Sequence, residues 1–240
     1  MKKSSEIIIS LKDINKSFPL ELGGEQQVLF DINFTVKSGE FVAIMGASGS
    51  GKSASMRNFK GSELGVINVA NKPLPFKSDI NTYNTDRYEV VEQLLKKASV
   101  KSIVIDDSQY LMANEFMRRA KETGYQKYTD LALDFRNLIH NVNYALPDDV
   151  IVYFLHHTET DQNTGKVKAK TVGKMIDQYL TLEGCFDIVL LADVDSDGHH
   201  FITQSDGYTT AKSPEGMFPS DKIENNLGIV DKAVREYWGL

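Results

Sequence analysis

Phe41-Val42-Ala43-Ile44-Met45-Gly46-Ala47-Ser48-Gly49-Ser50-Gly51-Lys52-Ser53 is the stretch that decides the reading of this chain. Residues 41–45 form an unbroken apolar run, the pattern of a strand buried on both faces. The turn behind it satisfies the spacing G-x-x-x-x-G-K-[ST] and leads into a stretch of helical character, residues 53–59. In that context glycines let the backbone curl around an anion, so that successive N–H groups face it at the positive end of a helix. Gly46, Ser48, Gly49, Ser50, Gly51, Lys52, Ser53 and Ala54 are therefore expected to wrap the phosphates of a nucleotide. Lys52 would neutralise the β and γ oxygens, and the Ser53 hydroxyl would ligate Mg²⁺. The plainer alternative is a glycine-rich turn with a chance lysine.

Further apolar runs bounded by turn residues recur at 7–11, 28–36, 65–69, 102–105, 150–155 and 186–192. Helical spacing separates several of them, at 88–98, 113–122 and 128–143, where Leu131, Phe135, Leu138 and Val142 share a face. Strand and helix in alternation predict an α/β sandwich on a mainly parallel sheet. The first forty residues lack an intervening helix and read as strands around a turn at Gly23-Gly24, which divides the chain into a β-segment, 1–40, and a core, 41–240.

The 240 residues are 41% hydrophobic and 25% charged, which excludes a disordered or fibrous chain. A single cysteine, Cys185, excludes an internal disulfide framework and favours a reducing compartment, hence the cytoplasm. No apolar run approaches the length of a membrane span, so direct membrane insertion is not expected. The net charge of −6 confines nucleic-acid binding to a local groove or one shared between subunits.

A phosphate loop needs an acidic partner for magnesium. Ser102-Ile103-Val104-Ile105-Asp106-Asp107 places Asp106 at the end of an apolar strand as that partner. Asp107 either orients or deprotonates the attacking water or simply caps the following helix. His156-His157-Thr158-Glu159 ends another buried strand, where sheet proteins hold their ligands. Adjacent histidines point to opposite faces, so at most one, taken as His157, can sense a γ-phosphate; both could equally be an ordinary polar strand end. The lysines at 166, 168, 170 and 174, with Lys212, form either solvated surface or a mobile basic segment that reaches DNA phosphate or a neighbouring subunit's nucleotide. Asp193-x-Asp195-x-Asp197-Gly198 resembles the opening of a calcium loop, but Gln204 stands where a bidentate Glu belongs, so a hairpin turn is expected, with His199-His200 structural.

Two family resemblances overlap on this chain. Leu11-Lys12-Asp13-Ile14-Asn15-Lys16-Ser17-Phe18, Val28-Leu29-Phe30-Asp31-Ile32-Asn33-Phe34 and Ser38-Gly39-Glu40 running into the phosphate loop resemble the nucleotide-binding domain of ABC transporters, of the lipoprotein-release and macrolide-export type. That resemblance implies ATP and an adenine stacked on Phe18. The Leu-Ser-Gly-Gly-Gln signature and a glutamate after Asp106 are missing, so a working transporter motor is not expected.

Residues 41–240 instead resemble phage RecA-like P-loop ATPases linked to single-strand annealing and recombination. The segments that carry this are Val66-Ile67-Asn68-Val69, Lys72-Pro73-Leu74-Pro75-Phe76, the Asp106 strand, His156-His157-Thr158-Glu159, Thr171-Val172-Gly173-Lys174-Met175 and Ala211-Lys212-Ser213-Pro214-Glu215-Gly216-Met217-Phe218. The resemblance implies a three-layer P-loop NTPase sandwich, Mg²⁺-dependent ATP hydrolysis to ADP, single-stranded DNA as partner and a homo-oligomer in the cytoplasm, the host's if phage-encoded. The family's catalytic glutamate is absent, because the strand after the loop ends Val69-Ala70-Asn71-Lys72. Either Asp107 takes its task or hydrolysis is slow. The two resemblances share only residues 41–53, which points to a chimera joined at the phosphate loop, natural or engineered. A transporter ATPase fragment, or a nucleotide-binding module with little turnover, is the alternative.

Overall fold

Unbroken Val/Ile/Leu runs can be buried only if both sheet faces are covered, and the computed structural model shows how. It describes residues 7–19, 25–37, 41–173, 177 and 181–240. The chain divides into two units, Met1–Gly39 and Glu40–Leu240. In the first, β1 (Ile7–Pro19) pairs antiparallel with β2 (Glu25–Lys37), with register shifts along the pair. The expected turn at Gly23-Gly24 lies outside the described residues.

The second unit is built on a sheet of order β11-β10-β9-β3-β7-β6-β4-β5. Its strands are β3 (Phe41–Gly46), β4 (Leu64–Asn68), β5 (Asn81–Asn84), β6 (Ser102–Asp106), β7 (Ile151–Thr160), β9 (Ile188–Asp195), β10 (Gly198–Ile202) and β11 (Lys222–Glu224). Strands β9, β3, β7, β6, β4 and β5 run parallel; β10 and β11 extend the sheet antiparallel beyond β9. A short β8 (Val167–Ala169) folds back on the end of β7.

Side-chain alternation sorts the core into two layers. Phe41, Ala43, Met45, Ile103, Ile105, Val152 and Phe154 face helices α1 (Tyr88–Lys97), α2 (Gln109–Arg118) and α3 (Gln126–Ala145). Val42, Ile44, Val104, Tyr153, Leu155 and Leu190 face Leu227, Val230 and Val234 of α4 (Leu227–Trp238). The result is the expected mixed α/β three-layer sandwich with a mainly parallel sheet.

Helix α4, β5 and β11 escape the sequence reading, and α2 begins four residues before the expected 113. The helix expected at 53–59 is a short 3₁₀ helix, Ser53–Asn58, after which Phe59 is extended. Beyond it Gly61 passes close against Asp79, where a Cβ would lie 2.4 Å from the Asp79 carbonyl oxygen.

Helix α4 is pinned to the amino edge of the sheet by charge. The Asp231 carboxylate accepts hydrogen bonds from Ser102 Oγ (2.6 Å), Tyr153 OH (2.8 Å) and Arg235 Nε (2.8 Å). Arg235 in turn donates to the carbonyls of Lys101 and Asp149. A cavity of about 580 Å³ opens beside this cluster, at the edge opposite the phosphate loop.

Candidate functional site

At the carboxyl edge of the parallel strands, a cleft of about 350 Å³ is lined by Ser48, Gly49, Gly51, Lys52, Ser53, Ala54, Lys72, Pro73, Pro75, Asp106, Asp107, His157 and His199. The phosphate loop forms one wall. Its first glycine is sterically required, since a Cβ on Gly46 would meet Ser50 Oγ at 2.4 Å and the Ala192 carbonyl oxygen at 2.6 Å. Gly51 adopts φ +91°, open to glycine and costly for other residues. Two buried polar atoms beside the loop, Ser50 Oγ and Asn225 Nδ2, have no hydrogen-bond partner. Asn225 Nδ2 lies 3.2 Å from where a Cβ on Gly51 would stand. Unpaired buried groups at one loop are a sign of a ligand that completes it.

The Lys52 side chain folds back on the loop, Nζ donating to the carbonyls of Gly46 (2.8 Å) and Ala47 (2.9 Å). Burial lowers its pKa to about 8, against the pull of Asp107 and Asp106. Only a short 3₁₀ helix follows, whose dipole is weak, so an anion here would rest on the loop's own N–H groups and Lys52.

Ser53 Oγ donates to Asp106 Oδ1 at 2.8 Å, joining the loop to β6. Burial pushes the Asp106 carboxyl up to about 6, only partly offset by that hydrogen bond. The pair fits Mg²⁺, an oxygen-seeking cation that binds through one or two protein ligands, water and substrate phosphates. Among the described residues no group of three or more His, Cys, Asp or Glu side chains could hold a metal alone, so a cation here would need water or a ligand's oxygens to complete its shell.

Asp107 does not cap α2. It sits in the left-handed region, φ 58°, which turns its carboxylate into the cleft, where Oδ1 accepts from His157 Nε2 at 2.9 Å and Oδ2 from Lys72 Nζ at 3.0 Å. Burial favours the neutral acid, but these two bonds outweigh it and bring the carboxyl down to about 2. A carboxylate so acidic is a poor base at neutral pH and a good acceptor for orienting water.

Alternation separates the two histidines as the sequence predicts. His157 faces the cleft, edge-on to the Tyr110 ring. His156 is buried on the other face, between Ser108 Oγ (3.0 Å) and the Lys170 carbonyl (2.9 Å).

His199, read as structural, lines the cleft, with Nδ1 3.0 Å from a Cβ placed on Gly51, because the β9–β10 hairpin delivers it there. Lys168 is no free cation: Nζ meets Asp177 at 2.5 Å and Glu159 at 3.3 Å. Lys174 lies outside the described residues. Lys212 bridges Val189 through its backbone near the amino end of β9 and does not line the cleft. The Asp193–Gly198 segment is the expected hairpin, with Lys222 Nζ on Asp195 at 2.7 Å. Phe18 stands opposite Gln26 in β1; its side chain lies outside the described residues. Lys72 and Asn225 were missed as site residues altogether.

Residues 29–144 match the family model described as ABC transporter. The spermidine/putrescine import ATP-binding protein PotA of Mesomycoplasma hyopneumoniae is 46% identical over 61 residues, 25% of this chain and 13% of its own. The macrolide export ATP-binding/permease protein MacB of Bartonella henselae is 50% identical over 56 residues, 22% and 8% of the two chains. The uncharacterized ABC transporter ATP-binding protein YvrO of Bacillus subtilis is 36% identical over 86 residues, 35% and 31%. The similarity thus spans less than a third of each relative's length. It reaches past Ser53, beyond the resemblance read at 7–53, and gives the recombination-ATPase resemblance no support. The matched residues include β3, the phosphate loop and the Asp106 strand, so the chain has a mixed α/β fold consistent with P-loop NTPases, and its residues 29–144 are similar to ABC transporter ATP-binding proteins.

Proposed function

We propose that this chain is an ATP-binding and ATP-hydrolysing P-loop module of ABC-related sequence with slow intrinsic turnover. The observation that carries the reading is one cleft in which Lys52, the hydrogen-bonded Ser53 and Asp106, and Asp107 with His157 converge. Lys52 binds the β and γ oxygens. Ser53 and Asp106 would hold Mg²⁺, which would supply neutralising charge to those oxygens. Asp107, oriented by His157, positions a water whose oxygen bonds to the γ-phosphorus as the bond to the β,γ-bridging oxygen breaks. The electron pair leaves with ADP, and the proton passes to the released phosphate. Turnover is slow because Asp107 stands where related ATPases use a glutamate, with its basicity suppressed.

The relatives' names describe import and export proteins, so a membrane permease on the cytoplasmic side is the partner class they favour. The missing Leu-Ser-Gly-Gly-Gln motif argues that this chain does not close an ABC-type dimer. Single-stranded DNA is disfavoured as a partner, since the net charge is −6 and Lys168 is neutralised by two carboxylates. Phosphate release with Mg²⁺ and ATP, across a protein-concentration series and with or without single-stranded DNA, tests the reading. Slow, DNA-independent turnover is expected, rising with concentration only if sites are shared in a homo-oligomer. DNA-stimulated turnover would return the recombination-ATPase reading to the front, and absence of nucleotide binding would end the P-loop reading.

A further inference from the structure

The mouth of the cleft holds a second cation that the phosphate loop does not supply. Lys72 follows β4, and its place is built rather than incidental. Asn68 Nδ2 donates to the Lys72 carbonyl at 2.6 Å, and the Lys72 N–H returns to Asn68 Oδ1 at 3.3 Å. Asn71 takes a left-handed φ of 53°, which asparagine tolerates better than most residues, and a following proline, Pro73, disfavours helical backbone at Lys72. The ammonium then lies 5.0 Å over the Tyr110 ring and 3.0 Å from Asp107 Oδ2. An exposed ion pair contributes little to stability and needs no such clamp. The Lys72 side chain is 59% exposed on the cleft side, so its charge is available to a ligand.

Building on the ATPase reading, we infer that Lys72 reads the terminal phosphate: it is parked on Asp107 in the free protein and transfers to the γ-phosphate when a nucleoside triphosphate enters. The location favours that end of the ligand. Asp107 is the group proposed to orient water toward the γ-phosphorus, and Lys72 touches it directly. A γ-phosphate brings more negative charge than one carboxylate, and charge-assisted contacts to phosphate are strong. A diphosphate ends short of Lys72 and leaves the Lys72–Asp107 pair intact. The transfer frees one Asp107 oxygen for water only when the γ-phosphate is present, with the cation coming from the same chain rather than a neighbouring subunit.

The test is equilibrium binding of ATP and of ADP, each with Mg²⁺, to the full chain and to Lys72→Met and Lys72→Arg. Methionine keeps the stem over Tyr110 and removes the charge. Lys72→Met should bind ATP about tenfold more weakly and ADP within about twofold of the parent, with Lys72→Arg recovering part of the loss. Equal weakening of ATP and ADP, or no weakening of either, would overturn the assignment of Lys72 while leaving the cleft reading intact. If the parent chain bound neither nucleotide, both readings would fall together, an outcome distinct from parent binding without discrimination by Lys72.

Discussion

His156 makes folding stability sensitive to mildly acidic pH, and the size of the effect follows from its surroundings. The ring is 1% exposed in the centre of the sheet. The Lys170 carbonyl can only accept, so Nε2 carries the proton; Nδ1 then accepts from the Ser108 hydroxyl. Both ring nitrogens are satisfied in the neutral form. Burial lowers the pKa from 6.5 to about 4, the Lys170 hydrogen bond opposes this, and the nearby charges of His157 and Lys52 add to it. Because the folded value lies below the unfolded one, the unfolded chain binds more protons between them, so stability is full above pH 6.5 and falls as pH drops toward 4. The complete loss is about 3 kcal/mol, and between pH 7.5 and pH 5 it is about 2 kcal/mol. Urea unfolding of the parent and of His156→Gln at both pH values isolates this contribution, since carboxylates such as Asp106 act in both proteins and cancel in the difference. The glutamine variant should be less stable at pH 7.5 but lack the ~2 kcal/mol decline. An identical decline in both proteins would refute the reasoning. The contact reaches the site, because Ser108 follows Asp107 directly in the turn that carries it.

Three other outcomes follow from the geometry. Lys52→Ala removes the cation that lies 2.8 Å from the Gly46 carbonyl, and calorimetry should show ATP and ADP binding weakened about 100-fold, with the fold retained by circular dichroism. Asp107→Asn keeps the shape but weakens the acceptor held by His157 and Lys72; phosphate release at saturating ATP should fall at least about tenfold, and unchanged turnover would move the water to another group. Asp231→Ala strips the shared acceptor from Ser102, Tyr153 and Arg235, and chemical denaturation should register a loss of about 3 kcal/mol without a change in nucleotide affinity, because the cluster lies at the opposite edge of the sheet.

What could be read from the sequence was whatever depends on neighbours along the chain. The phosphate loop is contiguous, from Gly46 to Ser53, and its chemistry is set by local spacing. Asp106 and His157 were legible because each ends an apolar run, and a parallel sheet brings all such ends to one edge. Strand alternation even chose between His156 and His157. The residues that escaped reading arrive across the sheet or through irregular backbone. His199 belongs to an antiparallel hairpin whose reach depends on β9 lying beside β3, and Asn225 comes from the turn before α4, a helix whose register was itself missed. Lys72 did carry a signal. It follows an asparagine and precedes a proline, immediately after a strand that ends in a second asparagine. In physical terms that pattern describes a left-handed residue, an extended residue and a side chain able to clamp a turn. A lysine fixed by such backbone restraints at a ligand-bearing sheet edge is held there for its charge, whereas the lysines at 166, 168 and 170, grouped only by composition, include one already neutralised by its own neighbours. The backbone that presents a cation is thus a better guide to its role than the number of cations nearby.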